Sequence, residues 1–167
     1  MKRATQAALA AITLVALSLS ACTGPQYEVN TLLRDEVERA ANRLSELVDA
    51  RGLRGAELDV IENAGTVGAS PLYGENGEPE LALLGDADTV LVDTDLADGT
   101  LQLTMYIARS AEDGGGWSYE RSSAYICVLF VADAHAEVSL ENSECNDDVL
   151  TNLSSSVEER TLFELGL

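Results

Sequence analysis

Two alternating segments separated by a glycine-rich break constrain the fold most strongly. The first covers residues 101–108, the second covers residues 119–131, and the break covers residues 111–116. Apolar side chains occupy every second position of both segments: Leu101, Leu103, Met105 and Ile107 in the first, and Ala124, Ile126, Val128 and Phe130 in the second. Alternation with a period of two is typical of strands that bury one face. The pattern therefore predicts an antiparallel hairpin with one apolar face.

The positions of the turns predict the register of this sheet. Placing Ser110 opposite Trp117 brings Leu103 opposite Ala124, so apolar residues meet on one face, as strand pairing requires. A second turn at residues 133–135 predicts a third strand. This strand runs antiparallel to the second, and its apolar residues lie opposite apolar residues of the second strand. Its expected pairs are Ala136 with Ala132, Val138 with Phe130, and Leu140 with Val128. The sequence thus predicts a three-stranded antiparallel meander.

Residues 31–51 predict an amphipathic helix that begins at Thr31 and ends at Gly52. Its apolar positions recur at helical spacing: Leu33, Val37, Ala40, Leu44, Leu47 and Val48. Such a helix covers the apolar face of a sheet, so we expect an α+β fold in which an N-terminal amphipathic helix packs on a small antiparallel β-meander. Ser155 with Glu158 resembles a capping box and predicts a short helix over residues 156–164.

The segment between the helix and the meander is less regular. Residues 56–62 favour a short helix or a strand, and residues 65–80 are rich in Gly, Pro and Glu and favour a loop. The fold of residues 53–87 is therefore left open by the sequence.

The first 21 residues have the three parts of a secretory signal. Lys2 and Arg3 form a positive start, residues 7–19 are mostly apolar, and Ser20 and Ala21 are small. The apolar run is shorter than the roughly 20 residues that span a bilayer as a helix. We therefore expect a signal peptide at residues 1–21, a tether at residues 22–30 and a single domain at residues 31–167.

The tetrapeptide Leu19-Ser20-Ala21-Cys22 resembles the lipobox of bacterial lipoproteins. This resemblance implies cleavage before Cys22 and lipid attachment to the Cys22 sulfur, which would hold the protein on the outer face of the cell membrane. Two acyl chains anchor a protein stably, whereas one gives only reversible binding. The alternative is a plain secreted protein with a cysteine near its start.

Cys22, Cys127 and Cys145 are the three cysteines, and an odd number in an exported protein requires an explanation. If Cys22 carries lipid, Cys127 and Cys145 remain as a pair, which is expected to oxidise outside the cytosol. The alternatives are a two-cysteine metal site and two buried free thiols. Neither a CxxC motif nor a nearby histidine supports a zinc site, so a Cys127–Cys145 disulfide is the prediction.

The charge of the processed chain excludes some partners. Beyond Lys2 and Arg3 the chain carries eight arginines against 29 acidic residues, a net charge of −21. Nucleic-acid binding requires cations that neutralise phosphates, so no nucleic-acid partner is expected. Anionic lipid headgroups are also repelled, so the domain is expected to stand off the membrane surface.

Residues 114–120 read Gly114-Gly115-Gly116-Trp117-Ser118-Tyr119-Glu120. One cysteine follows in the second predicted strand, and another follows the third predicted strand. This arrangement is similar to segments of small exported actinobacterial proteins of unknown function. The similarity covers roughly residues 100–146. It implies export and a fold rather than an activity.

The face of the meander opposite the main apolar face carries the candidate interaction residues. They are Tyr106, Tyr119, Arg121 and Tyr125, with Trp117 at the end of the hairpin. Aromatic residues and arginine are enriched in interaction hot spots, so one hypothesis is that this face binds a sugar, a peptide or a partner protein. The interpretation that the sequence favours is a second layer, made by residues 53–87 and the disulfide loop, that covers these side chains.

No residue pattern predicts a cofactor, a metal or a catalytic centre. Asp93, Asp95 and Asp98 precede Gly99, but their spacing does not match an EF-hand, so solvated turn residues are expected. His135 lies next to Asp133 in a predicted turn, without an arranged nucleophile.

We therefore expect a membrane-anchored extracytoplasmic lipoprotein that is a non-enzymatic binding or accessory module of the cell envelope. Its expected partners are the membrane, through lipid on Cys22, and another envelope protein. The alternatives are a cell-wall glycan or peptide hydrolase that uses acidic residues, and a passive structural lipoprotein.

Overall fold

The structure is a computed structural model that describes residues 24–73, 88–115, 118–151 and 157–167. The predictions made for Cys22, Trp117, Ser155 and residues 74–87 lie outside the described residues. Within this part of the chain, no helix is long and apolar enough to cross a membrane.

The first helix, α1, covers Pro25–Glu62 and is broken at Gly52, which has φ 67° and ψ 168°. Glycine adopts this left-handed φ without steric cost, so the chain changes direction there. Gly52 therefore interrupts the helix, as predicted. Helical structure resumes after Gly52, however, and includes residues 56–62. The predicted start at Thr31 is wrong. The helix begins at Pro25, so residues 25–30 of the expected tether are helical.

The described strands form one sheet. Their bounds are Ser70–Pro71 for β1, Thr89–Ala97 for β2, Thr100–Gly115 for β3, Ser118–Ala132 for β4, Val138–Asn142 for β5 and Glu158–Glu159 for β6. Strands β2 to β5 form an antiparallel meander, whereas β1 is parallel to β2 and β6 is parallel to β4. Short helices cover Asp147–Leu150 (α2) and Leu162–Leu165 (α3), and a 3-10 helix covers Ala64–Val67. The predicted α+β fold is confirmed, with one more meander strand than expected.

The additional strand is β2, which pairs with β3 through a two-residue turn. Asp98 and Gly99 form this turn, both with positive φ, between the paired residues Ala97 and Thr100. Asp-Gly is a favoured sequence for such a hairpin turn, because its backbone twist matches that of the strands. The cluster of acidic residues before Gly99 therefore belongs to a hairpin.

The predicted registers are wrong by even numbers of residues. Leu103 lies opposite Phe130 rather than Ala124, because β3 and β4 continue to Gly115 and Ser118 and leave a shorter turn than expected. Leu140 lies opposite Phe130 rather than Val128. There the Asp133 side chain accepts hydrogen bonds from the amides of His135 and Glu137, which lengthens the turn. Even shifts keep every side chain on its predicted face, so the apolar face is as expected.

The main core lies between α1 and this apolar face. The helix contributes mainly Val29, Leu33, Val37, Ala40, Leu44 and Val48, and the sheet contributes Leu101, Leu103, Met105, Ile107, Ala124, Ile126, Val128, Phe130 and Ala132, all buried. Two turns before the break at Gly52, the Ser45 hydroxyl donates a hydrogen bond to the Ala136 carbonyl at 2.7 Å. The helix is thereby held against the β4–β5 turn.

A buried ion pair joins α1 to the sheet inside this interface. The Glu36 carboxylate lies 2.6 Å from the Arg109 guanidinium, and their side chains are only 6% and 16% exposed. Arg39 approaches the same carboxylate oxygen at 2.8 Å from the helix side. Arg109 also donates hydrogen bonds to the Ala108 carbonyl and the Thr89 hydroxyl. The pair therefore has partners for most of its polar atoms.

The opposite face of the sheet is covered by a smaller second layer. The Cys127–Cys145 disulfide is present, with a Cα–Cα distance of 5.4 Å, so this prediction is confirmed. It holds the chain after β5 over the sheet, where Val149 of α2 is fully buried. Leu72 and Val90 complete this second cluster.

The C-terminal segment differs from its prediction. Residues 158–159 form strand β6 rather than part of a helix, and within residues 157–167 helical structure is confined to α3. The capping box is formed by Thr161 and Glu164, whose side chains bond each other's backbone amides. Leu162 and Leu165 of α3 pack into the main core.

Candidate functional site

Three parts of the chain meet where α1 begins. They are the first turns of α1, the start of β4, and the segment that contains β6 and α3. Gln26 donates a hydrogen bond to Glu158 at 3.4 Å, and Arg160 donates one to Asn30 at 3.1 Å. The first turns of α1 are therefore fastened to the C-terminal segment.

Three aromatic side chains are exposed at this end of the domain. Tyr27 is 65% exposed, Tyr119 is 61% exposed and Phe163 is 89% exposed. Phe163 points outwards because Leu162 and Leu165, on the other side of α3, are buried in the core. Tyr27 lies two residues before the buried Val29, on the outer side of α1. We call these three residues the aromatic end.

Two shallow hollows lie beside these residues. The smaller, of about 150 Å³, is lined by Tyr27, Asn30, Thr31, Arg34, Glu164 and Leu165. The larger, of about 550 Å³, is lined by Gly24, Pro25, Gln26, Tyr119, Glu120, Arg121 and Ser122. Each lining contains one arginine and one glutamate. These surfaces are thus charge-balanced, although the processed chain is strongly acidic.

Two ionisable groups at this end have shifted pKa values. A hydrogen bond with Glu112, followed by desolvation, raises the pKa of Tyr119. Hydrogen bonds from the Thr161 amide and hydroxyl lower the pKa of Glu164. Both shifts favour the ordinary charge states of these groups, a neutral phenol and a carboxylate.

The chain matches no protein-family model, and it gives no significant match to curated proteins or to solved structures.

The predicted interaction face is only partly accessible. Tyr106 is fully buried and Tyr125 is 8% exposed, because the layer formed by Leu72, Val90 and Val149 covers them. Burial also raises the pKa of Tyr125, with a smaller contribution from the Glu159 carboxylate. Tyr106 and Tyr125 therefore do not belong to an accessible face, and the favoured interpretation of a second covering layer applies to them.

The rest of that predicted face remains at the surface. Tyr119 and Arg121 are exposed, and Arg121 lies 3.8 Å from Glu112 on the neighbouring strand. The structure brings both residues to the start of α1, a neighbour that the meander pattern did not indicate. Trp117 lies outside the described residues.

Tyr27 and Phe163 were missed by the sequence reasoning. A signal for Tyr27 was present, because Gly24-Pro25 is typical of a helix start, with proline in the first turn. No comparable signal existed for Phe163. Which side of a four-residue helix packs inwards depends on the surface against which it docks.

The acidic residues of β2 and the lone histidine do not form a site in the part of the chain that is described. There, no three His, Cys, Asp or Glu side chains are grouped to hold a metal ion. The Asp93 carboxylate accepts a hydrogen bond from the Thr94 amide, and Asp98 forms the β2–β3 turn. His135 is exposed in the β4–β5 turn, as its position predicted.

Proposed function

We propose that this protein is an exported lipoprotein, held on the outer face of the cell membrane by lipid on Cys22. Two observations support this location. The lipobox-like Leu19-Ser20-Ala21-Cys22 stands where lipidation and cleavage would occur, and the Cys127–Cys145 disulfide suits an oxidising compartment outside the cytosol.

In this location the domain is a non-enzymatic binding or accessory module, and its interaction surface is the aromatic end. The observation that carries this proposal is the exposure of Tyr27, Tyr119 and Phe163 around the first turns of α1. Exposed aromatic side chains next to arginines are typical of binding surfaces. The alternative, a hydrolase, needs a carboxyl group whose pKa is raised so that it can donate a proton. Glu164 at this end has a lowered pKa instead.

The anchor is tested by Cys22→Ser. This variant is expected to lose lipid attachment and processing, because serine cannot form the thioether that carries the lipid. Membrane fractionation and intact-mass analysis measure both effects. Thr23→Ser, a change at the neighbouring residue, is expected to behave as the unaltered protein. Normal processing and full membrane retention of Cys22→Ser would contradict the anchor.

The interaction surface is tested by photocrosslinking in living cells. A photoreactive amino acid at position 163 is expected to capture a lipid or protein neighbour, whereas one at position 135, in the exposed β4–β5 turn, is expected to capture much less. Mass spectrometry identifies the adducts. Equal capture at both positions would count against this proposal. If the protein released soluble fragments from purified cell walls, that result would also count against it and would favour the hydrolase.

A further inference from the structure

The distance from the proposed lipid to the folded domain is very short. Helix α1 begins at Pro25, three residues after Cys22. Three residues span at most about 11 Å when fully extended. The headgroup region of one leaflet is itself roughly 5–8 Å thick. If Cys22 is lipidated, the first turn of α1 is therefore held at the membrane surface rather than well above it.

The side chains at this end suit the chemistry of that surface. Tyrosine is enriched at membrane–water interfaces, where its ring meets apolar atoms and its hydroxyl remains hydrated. Tyr27 and Tyr119 are both exposed, and the raised pKa of Tyr119 further favours its neutral phenol. Phe163 exposes most of its ring without a protein partner on its outer side. At the membrane interface, the apolar surface of all three side chains would be removed from water, which is favourable.

The charge at this end is smaller than the total charge of the domain. The net charge of −21 led us to expect a domain that stands off the membrane. Three arginines lie at this end: Arg34 and Arg121 in the linings of the two hollows and Arg160 beside Glu158. The carboxylates there still outnumber them, namely Glu28, Glu112, Asp113, Glu120, Glu158, Glu159 and Glu164. This end is therefore acidic, but it carries only a small part of the total charge, which limits its repulsion from the membrane surface.

We propose that the aromatic end lies against the lipid headgroups, with Tyr27, Tyr119 and Phe163 in the interfacial region, so that the domain stands upright on the membrane with its β4–β5 turn facing away. This orientation rests on the proposed lipidation of Cys22. The opposite end is defined by the Ser45–Ala136 hydrogen bond. It lies about 20 residues further along α1, or roughly 30 Å at 1.5 Å per residue.

The orientation is tested with the lipidated protein in phosphatidylcholine vesicles. Glu28→Cys and His135→Cys each introduce one free thiol for a fluorescent label, since Cys22 carries lipid and the other two cysteines are bonded to each other. Lipids that carry a spin label on the headgroup quench fluorophores at the membrane surface. We expect several-fold stronger quenching at position 28 than at position 135.

The role of the aromatic side chains is tested in the Glu28→Cys background. Tyr27→Ser together with Phe163→Ser is expected to weaken the quenching clearly, whereas Tyr73→Ser, at a half-exposed tyrosine elsewhere, is expected to leave it unchanged. Circular dichroism confirms that each variant is folded. Equal quenching at positions 28 and 135, or no effect of the double substitution, would overturn the proposal.

Vesicle flotation separates this inference from the proposed function. A protein that floats with vesicles but shows equal quenching at both positions is anchored without the proposed orientation. If position 163 then captures a protein in cells, the aromatic end is a protein interface instead. A protein that fails to float lacks the anchor, and both proposals are wrong.

Discussion

Glu36→Ala is expected to lower the free energy of unfolding by about 3 kcal/mol, as is typical when one partner of a buried ion pair is removed. The Arg109 guanidinium would remain largely buried within the α1–sheet interface without its carboxylate. The Thr89 and Ala108 oxygens would still accept its hydrogen bonds, but neither carries a charge that compensates the desolvated cation. Denaturant unfolding of the purified protein measures the difference.

A matched control is available on the same helix. Glu38 is 54% exposed and lies 3.9 Å from Arg34, so Glu38→Ala is expected to cost no more than about 1 kcal/mol. Glu36→Leu combined with Arg109→Met is expected to recover most of the lost stability, because no unpaired charge remains. Equal effects of Glu36→Ala and Glu38→Ala would show that the buried pair contributes little.

Cys127→Ser together with Cys145→Ser is expected to lower the free energy of unfolding by about 3 kcal/mol, since the bond closes a loop with a sequence separation of 18. The largest structural effect is expected in the second layer, because the disulfide holds the chain that buries Val149 over Tyr106 and Tyr125. Denaturant unfolding measures the stability, and near-ultraviolet circular dichroism reports the packing of the tyrosines.

Thr23→Ser is the control for this substitution, since it leaves the bridge, the lipid and the processing unchanged. It is expected to leave the unfolding curve unchanged, and chemical reduction of the unaltered protein is expected to reproduce the double substitution. A double variant as stable as the unaltered protein would mean that the covering layer is held by its apolar contacts alone.

The strand faces were predictable and the strand registers were not, and the difference has a simple cause. Alternation assigns each residue of β3 and β4 to a face, whatever the pairing. Pairing Leu103 with Ala124 satisfies the apolar pattern as well as the observed pairing with Phe130 does. The choice between these two registers depends on where the turn lies. The glycine run suggested a break at Gly114 and Gly115, but β3 continues through both residues.

The buried ion pair illustrates a second limit of sequence reasoning. The predicted helix start at Thr31 would place Glu36 near the beginning of the helix. Glu36 is instead buried three turns into α1, because the helix begins at Pro25 and Arg109 of β3 approaches from the sheet. Nothing in the local pattern links residues 36 and 109, since their contact exists only once helix and sheet have packed.

The pairing of Cys127 with Cys145 was predicted from the number of cysteines and the expected export. Local periodicity was sufficient for the α+β class and for the apolar faces of α1, β3 and β4. Each of these follows from the spacing of residue types along the chain, which does not require knowledge of distant neighbours. The burial of Tyr106 and Tyr125, and the exposure of Tyr27, Tyr119 and Phe163, depend on which distant segments cover each surface. Those contacts are set by the packing of the whole domain, because burial is a property of neighbours in space rather than in sequence.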